Sequence, residues 1–178
     1  MNFREKETEK KTIYKGNIID VYSYKVELPN GKEAPRDVVR HPGAVAVLPV
    51  DENGNIYLVQ QFRFPINQEL YEIPAGKIDS GEEHYECAVR ELKEETGMSS
   101  DDMVYLGGIY TTPGFSDEII HIYIAKNLSY GKSCPDEDEF LSVVKVTKEE
   151  FIKMISENKI TDAKTLSAYA KALIYGGI

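Results

Sequence analysis

The chain has 178 residues, enough for one globular domain or one domain with a small appendage. It is 42% hydrophobic and 29% charged, which excludes a wholly disordered chain and leaves material for a core. Lys and Arg number 21 against 30 Asp and Glu, a net charge of −9, which excludes the broad basic surface of a non-specific nucleic-acid binder.

Two cysteines, Cys87 and Cys134, are too few for a disulfide framework and form no metal-type pair. No apolar run approaches the roughly 20 residues of a membrane span. The start, MNFREKETEKKT, has no apolar signal core and reads as a solvated tail or a frayed first strand. The expected compartment is the cytoplasm, with neither nucleic acid nor membrane as partner.

Residues 12–28 are rich in strand formers, from Ile13 and Tyr14 through Tyr22, Tyr24 and Leu28. Pro29-Asn30-Gly31 predicts a turn, and Asp37–Arg40 a second strand, giving an N-terminal hairpin over 1–42. Ala44–Val50 is a continuous apolar run, the pattern of a strand buried on both faces. Asp51-Glu52-Asn53-Gly54-Asn55 then predicts a hairpin turn into Ile56–Phe62. A helix is predicted to begin at Ser80, with Glu83 completing a capping box. Tyr85, Ala88, Val89, Leu92 and Thr96 would form its packing face, and Gly97 its C-cap. Strands are expected near 103–111, 119–125 and 141–146, and helices near 148–157 and 162–175. The class is therefore α+β, a mixed sheet flanked by helices.

The helix carries the chemistry. At about 100° per residue, Glu91 and Glu95 lie roughly 40° apart on one flank, with Glu94 beside them. Arg90 and Lys93 would point further round. Like charges four residues apart cost a few tenths of a kcal/mol, so such crowding does not serve stability. A divalent cation reverses the sign, and hard carboxylate oxygens suit Mg²⁺, with Mn²⁺ as substitute. Such a cation would also attract a phosphate ester to an acidic chain.

Glutamate-rich helix faces are commonly just solvated, but the spacing here is specific. Gly76, Glu82, Arg90-Glu91, an aliphatic Leu92, Glu94-Glu95, Gly97 and Met98 fill every fixed position of a 23-residue pattern. A chance match in a chain of this length is on the order of one in a million or less. This segment resembles the signature of the Nudix hydrolases. The resemblance implies an α/β/α sandwich over 43–178 that hydrolyses a nucleoside diphosphate linked to another group. It also implies that Glu91 and Glu95 are the main metal ligands, with Glu94 a further ligand or the anchor of a water on the metal. The backbone carbonyl of Ala75 would add an oxygen. Arg90 would pair with Glu82 and orient the glutamates, and Gly76 and Gly97 would permit the turns at either end.

Three features resemble the ADP-ribose pyrophosphatase subgroup. Pro113 lies sixteen residues after Gly97, in Thr111–Glu118. Gln60–Pro65 and Leu70–Gly76 precede the box, and Arg63 at a strand end suits a diphosphate. The N-terminal segment, ending Arg36–Gly43, resembles one exchanged between subunits, which implies a homodimer with shared active sites. Tyr22 and Tyr24 are then candidates to stack on adenine, though with 12 tyrosines in the chain either could simply pack the hairpin. Arg36 would reach a phosphate or purine, and Glu118 the terminal ribose or a water on the metal. The acidic loop Ser133–Phe140 would, by the same resemblance, supply a carboxylate that positions or deprotonates water or completes a metal shell, Glu139 first and Glu137 second. His41, His84 and His121 read as surface or packing residues.

The expected reaction is Mg²⁺-dependent hydrolysis of ADP-ribose to AMP and ribose 5-phosphate. The alternatives are another diphosphate linkage (NADH, a sugar nucleotide, a flavin dinucleotide) or a non-hydrolytic nucleotide sensor. The intact box and the lack of room for a helix-turn-helix domain weigh against the sensor.

Overall fold

The computed structural model describes residues 2–134 and 139–178. Two compact units emerge. One holds the N-terminal residues through Gly43 together with Tyr110–Ile119; the other holds Ala44–Ile109 and Ile120–Ile178. The segment 110–119, expected within the larger unit, thus joins the N-terminal one.

The N-terminal unit is a three-stranded antiparallel sheet of β1 (Lys6–Lys15), β2 (Asp20–Glu27) and β3 (Glu33–Arg40), in that order. The predicted single strand over 12–28 is two strands, and the predicted hairpin is a sheet. A tight connection at Gly16, whose N–H bonds the Ile19 carbonyl, breaks the run. The charged start is ordered as β1, with every residue exposed. Polar and charged side chains cost nothing on a strand whose two faces are wet, so composition alone hid it. Tyr24 and Val26 are buried on β2. Segment 110–119 binds β3 through Val39, whose N–H donates to Phe115 O at 2.7 Å and whose carbonyl accepts from Asp117 N at 3.2 Å. Arg40 reinforces this with an ion pair to Asp117 at 2.9 Å.

The larger unit is built on the buried strand β4 (Ala44–Pro49). It pairs in parallel with β9 (Ile119–Tyr130) and antiparallel with β7 (Ala75–Lys77), and β8 (Met98–Tyr110) completes the order β7-β4-β9-β8. Alternation along β4 feeds two cores. Val45 and Val47 pack with Cys87, Ala88 and Leu92 of α1 (His84–Thr96). Ala46 and Leu48 pack with Phe151 of α2 (Lys148–Ser156) and with Ala168 and Ala172 of α3 (Ala163–Tyr175). The sheet is therefore held between α1 on one face and α2 and α3 on the other, the expected α/β/α sandwich. Each fully buried aliphatic side chain contributes about 1.5–3 kcal/mol.

A second antiparallel sheet, β10-β5-β6, combines β5 (Ile56–Arg63), β6 (Gln68–Glu72) and β10 (Leu141–Val146). The predicted hairpin 44–62 is therefore only partly present. Asp51 forms the turn, accepting the N–H groups of Asn53 and Asn55 at 3.0 and 2.8 Å. Beyond the single bridge Val50–Ile56, however, the two strands separate into different sheets. Among the described residues, no helix is long and apolar enough to cross a membrane.

Candidate active site

Helix α1 starts at His84, four residues later than predicted, with Glu83 as N-cap. Ser80 does not cap it. The residues before the helix form a tight turn instead, in which Glu82 N–H donates to Asp79 O and Asp79 N–H donates to the Glu82 carboxylate, both at 3.1 Å. The C-terminus ends as predicted, with Gly97 at φ 71° and its N–H on the Lys93 carbonyl. The buried stripe is Cys87, Ala88, Glu91, Leu92, Glu95 and Thr96, while Tyr85, predicted to pack, is 48% exposed. The helix is thus rotated so that Glu91 and Glu95 face inward.

Those two carboxylates are 7% and 1% exposed. Glu95 accepts the Ala75 N–H at 3.1 Å, which ties α1 to β7. Glu91 lies against Gly76, where a Cβ would sit only 1.9 Å from the carboxylate carbon. Gly76 therefore serves close approach within a strand rather than the turn expected of it. Gly97 serves both needs, since a Cβ there would also meet Gly131 O at 2.6 Å.

Arg90 does not point away from the acids. Its Nε and Nη2 grip both oxygens of Glu82 at 2.8 and 3.0 Å, and its Nη1 reaches Glu91 at 2.7 Å and Glu94 at 2.9 Å. This contact holds Glu82 down to about 2. The Glu91–Glu95 pair shows the opposite effect. Burial pushes Glu95 up to about 8 against the Ala75 N–H, with the charges of Glu91 and Glu139 adding to the rise. Burial likewise raises Glu91, opposed by Arg90 and assisted by Glu94 and Glu139. Glu139 is half-buried, close enough for its charge to be felt by both. Glu137 lies outside the described residues.

Among the described residues, no three His, Cys, Asp or Glu side chains stand together as a metal cage. Arg90 already engages Glu91 and Glu94. The donor set nevertheless fits a hard divalent cation. Two buried carboxylates resist ionisation, Gly76 leaves the space that brings one of them close, and all the donors are oxygens. Glu91 and Glu95 would be the core of such a site, and Glu94 would join by exchanging Arg90 for the ion.

The other expected residues are more engaged than the sequence suggested. Arg63 is not a free cation, because its Nε and Nη2 bond the carboxylate of the fully buried Glu72 at 2.8 and 2.7 Å. Sequence reasoning missed Glu72. The signal was a lone carboxylate between Leu70-Tyr71 and Ile73, an apolar setting that demands a partner. Tyr22, Arg36 and Glu118 belong to the N-terminal unit. Tyr22 donates to Asp20 at 3.0 Å and carries Lys10 over its ring at 4.2 Å; Tyr24 bonds Arg40 at 3.3 Å. Arg36 is paired with Glu5. Glu118 accepts from Thr111 at 2.6 Å and lies 3.8 Å from His41. His84 and His121 pack, stacked at 4.2 Å between ring centroids, and bond Tyr123 and Tyr105. A groove of about 590 Å³ borders Arg90 and Glu94 along with Tyr85, Val89 and Lys132, but not Glu91 or Glu95.

The family model for the NUDIX domain matches residues 39–169, and the chain belongs to this family. It is 47% identical over 171 residues to an ADP-ribose pyrophosphatase of Bacillus subtilis (strain 168), covering 95% of this chain and 91% of that one. It is also 43% identical to a methanol dehydrogenase activator of Bacillus methanolicus, covering 93% and 91%. The crystal structure of an ADP compounds hydrolase superposes with a TM-score of 0.84 at 22% identity, over 100% of both chains.

Proposed function

We propose that this chain is a divalent-cation-dependent hydrolase that cleaves the diphosphate bond of ADP-ribose to AMP and ribose 5-phosphate. The carrying observation is the pair of buried glutamates, Glu91 against Gly76 and Glu95 on the Ala75 N–H, within an intact signature. The 47% identity to an ADP-ribose pyrophosphatase supports the choice of substrate.

Bound at Glu91 and Glu95, Mg²⁺ or Mn²⁺ would neutralise phosphate oxygens and make an attacking water more acidic. The chain's own residues do the rest. Arg90 holds Glu82, Glu91 and Glu94 in a fixed relation. Arg63, gripping Glu72 through Nε and Nη2, would offer its Nη1 edge to a phosphate oxygen. Glu139 orients a water and takes its proton. Water adds across one P–O–P bond, its oxygen to one phosphorus, while the bridging oxygen leaves on the other.

Tyr22, Arg36 and Glu118 are the proposed substrate contacts of the N-terminal unit, in a homodimer whose partner completes each site. The setting is cytoplasmic, in keeping with two unpaired cysteines. A substrate panel in ¹⁸O-water tests the reading. ADP-ribose is expected to be the best substrate, with label in AMP or in ribose 5-phosphate. A tenfold preference for NADH, a sugar nucleotide or a flavin dinucleotide refutes the substrate assignment. Binding without hydrolysis refutes the enzyme.

A further inference from the structure

Two consecutive residues ahead of the signature are gripped by the first turn of α3. Glu72 is 1% exposed and accepts from Lys164 as well as from Arg63. Lys164 is itself largely buried and also lies 3.1 Å from Asp162. Asp162 caps α3, accepting the Thr165 N–H at 2.9 Å and the Thr165 hydroxyl at 2.6 Å. With its proton committed to Asp162, the Thr165 oxygen accepts the N–H of Ile73 at 2.9 Å. The next residue, Pro74, accepts from Val47 N–H at 2.9 Å, and Ala75 N–H reaches Glu95 at 3.1 Å. Residues 72, 73, 74 and 75 are thus each anchored, the first two by α3.

A chain of contacts this complete has a direction. Arg63 already grips both oxygens of Glu72, and the lysine adds a second cation to the same buried carboxylate. Lys164 shares the load on Glu72, and Arg63 keeps a defined place where its charge is also felt by Glu95. We infer that Lys164 and Thr165 are positioning residues: α3 braces Glu72 and Ile73 so that Arg63 faces the diphosphate and the Ala75-Gly76 strand seats Glu95 and Glu91. Neither touches the reacting atoms. The kinetic part of this inference rests on the hydrolase reading above; the brace does not.

Lys164→Met and Thr165→Val remove the two grips separately, and Lys164→Arg and Thr165→Ser restore them. Amide hydrogen exchange at Ile73 and Ala75, followed without nucleotide, reads the brace directly. Both disruptive variants are expected to keep the native circular dichroism and to exchange these amides at least tenfold faster. Lys164→Met, which loosens Arg63, is expected to raise KM for ADP-ribose about tenfold with kcat within threefold; Thr165→Val, which loosens the strand that seats Glu95 and Glu91, is expected to lower kcat about tenfold; and the conservative variants are expected to return these values. Ile124→Ala, which opens the same core from β9, is the control for lost stability. Unchanged exchange at Ile73 and Ala75 overturns the inference, as does an equal KM rise in Ile124→Ala. If the unaltered chain cleaves no diphosphate, the hydrolase reading fails and the exchange result alone decides the brace.

Discussion

Gly76→Ala is the sharpest probe of the buried pair. The added methyl would stand 1.9 Å from the carboxylate carbon and Oε1 of Glu91 and 2.4 Å from Oε2. To reach an ordinary 3.4 Å contact, the Glu91 carboxylate must retreat by about 1.5 Å. The obstructing atoms are the end of a flexible side chain, so the fold tolerates the change. An off-rotamer glutamate costs about 0.5–1.5 kcal/mol, or a Tm loss of a few degrees in a chain of this size. Function is less forgiving, because a displacement of about 1 Å at a reacting centre costs on the order of a hundredfold in rate. Phosphate-ester release from ADP-ribose at saturating Mg²⁺ is expected to fall at least a hundredfold, and Mn²⁺ affinity, read by electron paramagnetic resonance, to fall with it. Turnover within threefold of the unaltered chain, with unchanged Mn²⁺ affinity, would refute the assignment of Glu91.

Three further expectations separate ligand, base and scaffold. Glu95→Gln keeps shape and removes charge, so turnover should drop a thousandfold or more with circular dichroism unchanged; ordinary activity removes Glu95 from the metal set. Glu139→Gln should lower kcat about a hundredfold, the scale of general-base catalysis, with Mn²⁺ affinity within twofold. A parallel loss of affinity instead makes it a ligand. Asp51 tests the scaffold. Burial opposes its ionisation, but Lys145, the Asn55 side chain and the N–H groups of Asn55 and Asn53 outweigh it and hold the carboxyl well below the usual range. Its stabilisation is therefore full above about pH 4, the unfolded value, and is lost as pH falls through the lower folded value. In urea titrations Asp51→Asn should cost about 2 kcal/mol at pH 7, with the gap closing as pH falls below 4. A gap independent of pH rejects the ionic account.

What could be read in the sequence was local. The run Ala44–Val50 needed no partner to declare burial on both faces, and β10 and the Gly97 cap fell where residue types put them. The signature was legible because five of its charged positions sit at fixed spacing. Long-range pairing was not. The Asp51–Asn55 turn forms, yet nothing in 44–62 says that β4 takes β9 and β7 while β5 takes β10 and β6. The partners of Arg63 and Arg36 were hidden for the same reason. Glu72 and Glu5 stand 9 and 31 residues away, and an arginine looks free until the fold supplies its acid.

Arg90 has a consequence for biogenesis. A cluster of acids that needed its ion in order to fold would leave a newly made chain at the mercy of metal supply, as in small zinc domains. Here a built-in guanidinium quiets the repulsion among Glu82, Glu91 and Glu94 from the start. On the proposed reading, folding would then not wait on loading: the polypeptide would finish its architecture first and acquire its ion afterwards, and a chelator is expected to silence it without dismantling it.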